Sequence, residues 1–180
     1  MRSFRRLLDA GRRAAAAFAT RQDGGPSVEF VLVAPVFVVV IFATVQCAII
    51  YFCNAGLETV TEEAARLVLT NQSTTLTAAQ FQTAVCAKLP TFFNCSGVKV
   101  ALQSASSESS IVTTAPAFNA DGTLKNSLTY VQPSPGQIGV LQVMYQWPVI
   151  GLPLGFNFAT LGNGTYLMMS TQVFMVEQTQ

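Results

Sequence analysis

A chain of 180 residues without a single histidine has few chemistries open to it. Ser-His-Asp and Cys-His nucleophiles are excluded, as are His-ligated zinc and haem. Lysine- or carboxylate-based catalysis survives in principle, and the groups that could supply it are quickly enumerated. The cysteines are Cys47, Cys53, Cys86 and Cys95, and none has metal-ligand spacing. Two acids, Asp9 and Asp23, lie in an arginine-rich N-terminal arm, and Glu29 stands at the mouth of an uncharged apolar run. Six acids remain: Glu58, Glu62, Glu63, Glu108, Asp121 and Glu177. The first three fall on one predicted helix, and no two of the six form a pair suited to acid–base work. The sequence therefore reads as that of a non-enzyme with no cofactor and no metal site. The net charge of +1 gives no footing for nucleic acid.

The elements that must position these groups follow from composition. The chain is 51% hydrophobic and 11% charged, where an average soluble domain carries about 25% charge; it reads as membrane-associated. Its length allows one modest domain and one extra element. The charge is uneven. Residues 1–24 hold Arg2, Arg5, Arg6, Arg12, Arg13 and Arg21 against Asp9 and Asp23, a net +4, while the remainder carries −3. From Phe30 to Cys53 run 24 residues without a charge. A helix of that length is about 36 Å long and crosses a hydrocarbon core of about 30 Å with some tilt. By the positive-inside rule the N-terminus is cytoplasmic and the C-terminus extracytoplasmic. Tyr51 and Phe52 sit where an interfacial aromatic belt belongs, and Pro35 predicts a bend near the start of the span. The run exceeds the 7–15 residues of a secretory h-region, and no good Ala-x-Ala or lipidation site follows it. The lipid bilayer is thus the first expected partner. Taken alone, Glu29 could simply sit solvated at headgroup level, since an acid placed centrally costs about 3 kcal/mol.

The arm and the start of the run read Asp23-Gly24-Gly25-Pro26-Ser27-Val28-Glu29-Phe30, followed by Val-Leu-Val-Ala-Pro-Val. A basic leader, Gly-x-x-x-x-Glu-Phe and an apolar helix with an aromatic end resemble the TadE/TadF-like minor pilins, or pseudopilins, of the Tad (type IVb Flp) pilus systems. The resemblance is strong over about residues 20–70. It implies a leader removed by a prepilin peptidase after Gly24, so that Gly25 becomes mature residue one and Glu29 the fifth. Gly25 is an alternative scissile glycine with a different spacing to Glu29, and Pro26 takes mature position two. Phe30 stands where the major Flp pilins usually carry tyrosine and is common in TadE-like members. The implied partners are other Tad pilus subunits, the prepilin peptidase and the inner-membrane assembly platform. The implied location is the bacterial inner membrane, with passage into an adhesive extracellular pilus open. An unprocessed single-pass adaptor of the same machinery fits the same residues. In the pilin reading Glu29, with Phe30 beside it, is an assembly group that pairs with an N-terminal amine and fixes register.

Beyond the span, Leu57, Val60, Ala64, Leu67 and Val68 recur at helical spacing, with Glu58 and Glu62 opposite and Glu62 four residues before Arg66. This predicts an amphipathic spine helix, ended by residues 71–75. Thr77 is placed to cap a second helix over 78–89, stopped by Pro90. Strands are predicted over 98–104, 139–149 and 166–176, with residues 104–137 as loop holding at most one poor strand. In the second strand Leu141, Val143, Tyr145 and Trp147 share one face, and Gln142 and Gln146 the other. The expected fold class is α+β: a leader over 1–24, a transmembrane helix over 25–53 and a pilin-like head over 54–180, in which the spine helix packs on a small antiparallel sheet. Cys86 and Cys95 lie together in that exported head, where a disulfide is permitted and two free buried thiols are the alternative. Cys47 and Cys53 read as small apolar filler of the helix. The glycosylation sequons at Asn71, Asn94 and Asn163 read as chance matches.

Overall fold

The computed structural model describes residues 25–70 and 76–177. The leader over 1–24, with Gly24, and the predicted helix stop over 71–75 lie outside the described residues. Two α-helices, three β-strands and three short 3-10 turns occur in them. Helix α1, Gly25–Leu69, is 45 residues long and runs through Pro35 without ending. Within it Ser27–Leu69 is long and apolar enough to cross a membrane. The chain divides into two units between Phe42 and Ala43. In the first, the described residues are all helix, and most of their apolar side chains are exposed, Phe30 at 71% and Leu32 at 70%, with Val39 the buried exception.

In the second unit α1 is built into a core. Ile50, Cys53, Leu57, Val60, Ala64 and Val68 are buried in one cluster with Leu102, Leu141, Val143, Tyr145 and Met168 of the sheet. Their spacing of three and four residues puts them on one helix face. The stripe opens at Ile50, inside the uncharged run. Thr61 lies on it fully buried, and its hydroxyl donates to the Leu57 carbonyl at 2.7 Å. Glu62 and Arg66 are exposed, and the expected pair between them does not form. Glu63 takes an ion pair instead, with the Lys88 Nζ at 3.0 Å, because Lys88 is fixed beside the helix by the chain that follows α2.

Helix α2, Ala78–Cys86, starts with the predicted cap. The Gln80 N–H donates to Thr77 Oγ1 at 3.4 Å, and the Thr77 N–H donates to Gln80 Oε1 at 2.9 Å. It stops three residues before the predicted Leu89. Lys88 N–H and Leu89 N–H bond the Val85 and Cys86 carbonyls at 3.1 Å in tightened turns. Pro90 disfavours the α conformation at Leu89, so the last turn cannot stay α. Phe81 and Val85 point into the core, each fully buried.

Strands β1 (Val98–Ala105), β2 (Ile138–Pro148) and β3 (Thr165–Met175) form one antiparallel sheet in the order β1-β2-β3. Val100 lies opposite Val143, and Gly139 opposite Phe174. A Cβ at Gly139 would fall 2.6 Å from the Phe174 ring, so glycine makes room for that aromatic. The predicted helix-facing set on β2 is the one observed, but its other face is not open. Residues 139–145 are all buried, and Gln142 is 1% exposed. The β1–β2 connection lies over that face: Gln142 Nε2 donates to the Thr114 carbonyl at 3.4 Å. The same connection bonds the free edge of β1, where Leu102 N–H reaches Thr129 O and Val131 N–H reaches Leu102 O. Periodicity reads a strand's faces but not the irregular segment that covers one of them.

Candidate functional site

The stretch of α1 that the sequence singles out has few polar groups. Glu29 is exposed on the helix, flanked by Val28 and Phe30, which are also exposed. Among the described residues it has no ion-pair partner. Gly25 lies four residues earlier and therefore on the same helix face, about 5–6 Å away at the Cβ level. A Cβ at Gly25 would meet nothing within 4 Å. Of the two candidate scissile glycines, Gly24 is outside the described residues and Gly25 is helical.

Gln46 is the second polar point, and sequence reasoning passed over it. With its nitrogen turned toward the carbonyl, its side-chain amide donates to Ile150 O at 3.1 Å and accepts from Ile150 N at 2.9 Å. A residue of the β2–β3 connection is thereby tied to the helix inside the Phe30–Cys53 run. The available signal was a lone carboxamide in an apolar stretch, which needs a partner wherever it is desolvated.

The cysteines divide. Cys86 and Cys95 form a disulfide, S–S 1.97 Å with Cα atoms 5.4 Å apart, closing the segment between α2 and β1. Cys47 is exposed and Cys53 buried, both as free thiols. The closed segment carries Phe92 and Phe93 into an aromatic chain that links α1 to the sheet. Phe52 to Phe92 is 5.6 Å, Phe92 to Phe93 4.8 Å, and Phe93 meets Tyr145 and Trp147 edge-on at 5.0 and 6.0 Å. The Asn94 N–H donates to the Tyr145 hydroxyl at 3.4 Å.

The acids of the head are dispersed. Glu58, Glu62 and Glu63 lie on α1, Glu108 in a 3-10 turn and Asp121 in a loop. Asp121 lines an open recess of about 450 Å³ with Lys99, Phe118 and Gln146. Its carboxylate accepts from the Thr123 hydroxyl at 2.7 Å and the Thr123 N–H at 2.9 Å, which holds its pKa below the ordinary carboxylate value. It is committed to shaping its own turn. Among the described residues no group of three or more Cys, Asp or Glu is arranged to hold a metal ion.

Residues 25–66 match the model of a family described as TadE-like protein. The matched stretch is α1 almost to its end. No curated protein and no solved structure matches the chain.

Proposed function

We propose that this TadE-like chain is a minor pilin of a Tad, type IVb Flp, pilus. It sits in the bacterial inner membrane with a cytoplasmic N-terminus and an extracytoplasmic head, and loses its leader to a prepilin peptidase after Gly24. It helps to assemble a fibre used in surface adherence, and its role is structural, without catalysis or cofactor. One observation carries the reading: α1 is one helix whose N-terminal half bares a mostly apolar surface with Glu29 as its one charged side chain, while its C-terminal half is built into the core, and the family match opens at Gly25 on that bare half. Each bare Val, Leu, Ile or Phe gains about 1.5–3 kcal/mol on leaving water, so this surface belongs in lipid or against the same helix of other subunits.

The position of Glu29 then has a purpose. Cleavage after Gly24 creates an α-amine one helical turn from the carboxylate. At about 4 Å and an effective dielectric near 20 the attraction is about 4 kcal/mol before desolvation is subtracted. Glu29 can meet its own amine or that of a neighbouring subunit. A slip of one turn between neighbours leaves both charges unpaired, so the pair sets register more than it adds strength.

The test is the intact mass of the membrane-extracted protein with and without the peptidase. A peptidase-dependent loss of residues 1–24 is expected. Full-length mass in both samples, with the peptidase shown active on another prepilin, overturns the processing step and leaves a fixed membrane adaptor of the pilus machinery.

A further inference from the structure

The β2–β3 connection has a composition unlike the rest of the head's surface. It reads Val149-Ile150-Gly151-Leu152-Pro153-Leu154-Gly155-Phe156, and no charged residue occurs between Lys125 and Glu177. Ile150 is 73% exposed, the most exposed large apolar side chain of the described head, and Phe156 is 40% exposed. Its level along α1 is fixed by the two Gln46 hydrogen bonds to Ile150. A hydrocarbon core of about 30 Å takes about 20 helical residues. Counted from Phe30 it ends near Ile49, which puts Gln46 and the Ile150 backbone about 5 Å inside it.

We propose that this connection is seated in the lipid of the leaflet facing the head, as a second membrane contact beside the span. The inference rests on the reading of α1 as membrane-spanning. The occupant is lipid because the loop is tied to the very stretch of helix that lipid surrounds. Phe52 and Phe92, exposed and 5.6 Å apart, add apolar surface beside the end of the uncharged run.

Part of the connection's backbone is satisfied without water. Irregular chain enters lipid at a cost of several kcal/mol for each unsatisfied N–H or C=O. Here the Ile150 N–H and C=O are both taken by Gln46, Leu152 N–H bonds the Phe156 carbonyl at 3.0 Å, and Pro148 and Pro153 have no N–H to satisfy. Gln46 is satisfied by the same contact, so neither partner is left bare in the hydrocarbon. A depth of about 5 Å is that of segments lying at the boundary between headgroups and acyl chains. The loop thereby gives the head a second point of contact with the membrane surface beside α1.

The experiment uses the full chain reconstituted in phospholipid vesicles, with a single tryptophan moved around a Trp147→Phe background. Ile150→Trp is the reporter, Phe156→Trp a second reporter should the first not fold, Val38→Trp the control within the span and Val112→Trp the exposed control on the head. Quenching by acyl chains brominated near the glycerol end is compared with quenching by chains brominated deeper and by aqueous acrylamide. The expected result is that position 150 is quenched most by the shallow bromines, position 38 most by the deep ones, and position 112 by acrylamide alone. Adding Gln46→Leu to Ile150→Trp is expected to shift the reporter toward acrylamide. Acrylamide quenching at 150 equal to that at 112, with position 38 in lipid, overturns the inference and leaves the span intact. Shielding from both quenchers that grows with protein density overturns it in favour of a neighbouring subunit. Failure of position 38 to meet any bromine overturns the spanning reading itself.

Discussion

Opening the Cys86–Cys95 bridge tests how the head holds its aromatic chain against α1. The perturbation is the double substitution Cys86→Ser and Cys95→Ser. The bridge closes a short loop, with a sequence separation of 9. For a loop of that length the chain-entropy relation gives about 2.6 kcal/mol of stabilisation. The loop also places Phe92 and Phe93, and Phe93 lies 6.0 Å from the only tryptophan, Trp147. Trp147 fluorescence therefore reports the region under test without a label. In denaturant titrations of the full chain in detergent micelles, the double variant is expected to unfold about 2–3 kcal/mol more easily, with the Trp147 emission altered before unfolding. Alkylation under denaturing, non-reducing conditions should modify two cysteines, Cys47 and Cys53, in the parent chain. A loss below about 0.5 kcal/mol, the range of an ordinary surface substitution, would show that the loop is held by its packing alone and refute the entropic reasoning.

Glu29→Gln keeps the shape and removes the charge; retaining even a third of about 4 kcal/mol in the assembled state makes its loss about tenfold in subunit incorporation. Quantifying the chain in sheared fibres against membranes checks this, and unchanged incorporation with normal processing would refute the pairing. Gly139→Ala drives a Cβ to 2.6 Å from the Phe174 ring and is expected to cost about 1–3 kcal/mol by overpacking, read as a lowered thermal midpoint; Gly151→Ala, where a Cβ meets nothing within 4 Å, is the contrasting control. Tyr130 is half-buried against Phe81 with its hydroxyl donating to Leu76 O at 3.4 Å, and burial raises its pKa above the ordinary 10.0. Its contribution to stability is present in full below the unfolded value and is lost as pH rises through the folded one. Tyr130→Phe should flatten the alkaline fall in midpoint above about pH 10, and an unchanged fall would refute the assignment.

How far the residues alone reach depends on what carries the signal. The candidate span is legible because an uncharged run of 24 residues is long enough, as a helix, to cross a hydrocarbon core. The spine stripe is legible in Leu57, Val60, Ala64 and Val68, because a helix repeats its buried face every three to four residues. The three strands are legible to within about a residue at each end, the uncertainty inherent in element boundaries. The end of α2 was misplaced because apolar and small residues continue through Cys86 to Leu89, while the turn geometry imposed before Pro90 has no periodicity. The burial of Gln142 was missed because the segment over it, around Thr114, is rich in small polar residues and reads as open loop. The ion pair went to Glu63 because its partner Lys88 comes from another element, and local spacing sees only Arg66.

The two polar points of the apolar half of α1 show the same division for the site. Glu29 and Gln46 each state a demand that can be read from sequence: a carboxylate and a carboxamide set in a stretch otherwise fit for hydrocarbon need partners. Sequence cannot say who answers. For Gln46 the answer lies in the same chain, about a hundred residues on, where the backbone of Ile150 meets both ends of its amide. For Glu29 no described residue of the chain answers, although every other demand in the described helix that depends on a charge is met locally or faces water. Glu29 is exposed at the start of an apolar helix, one turn from Gly25, and under the proposed function its partner is the amine that cleavage would create. The head is accounted for by its own packing, while the proposed role of Glu29 is the part that the mass and incorporation measurements test.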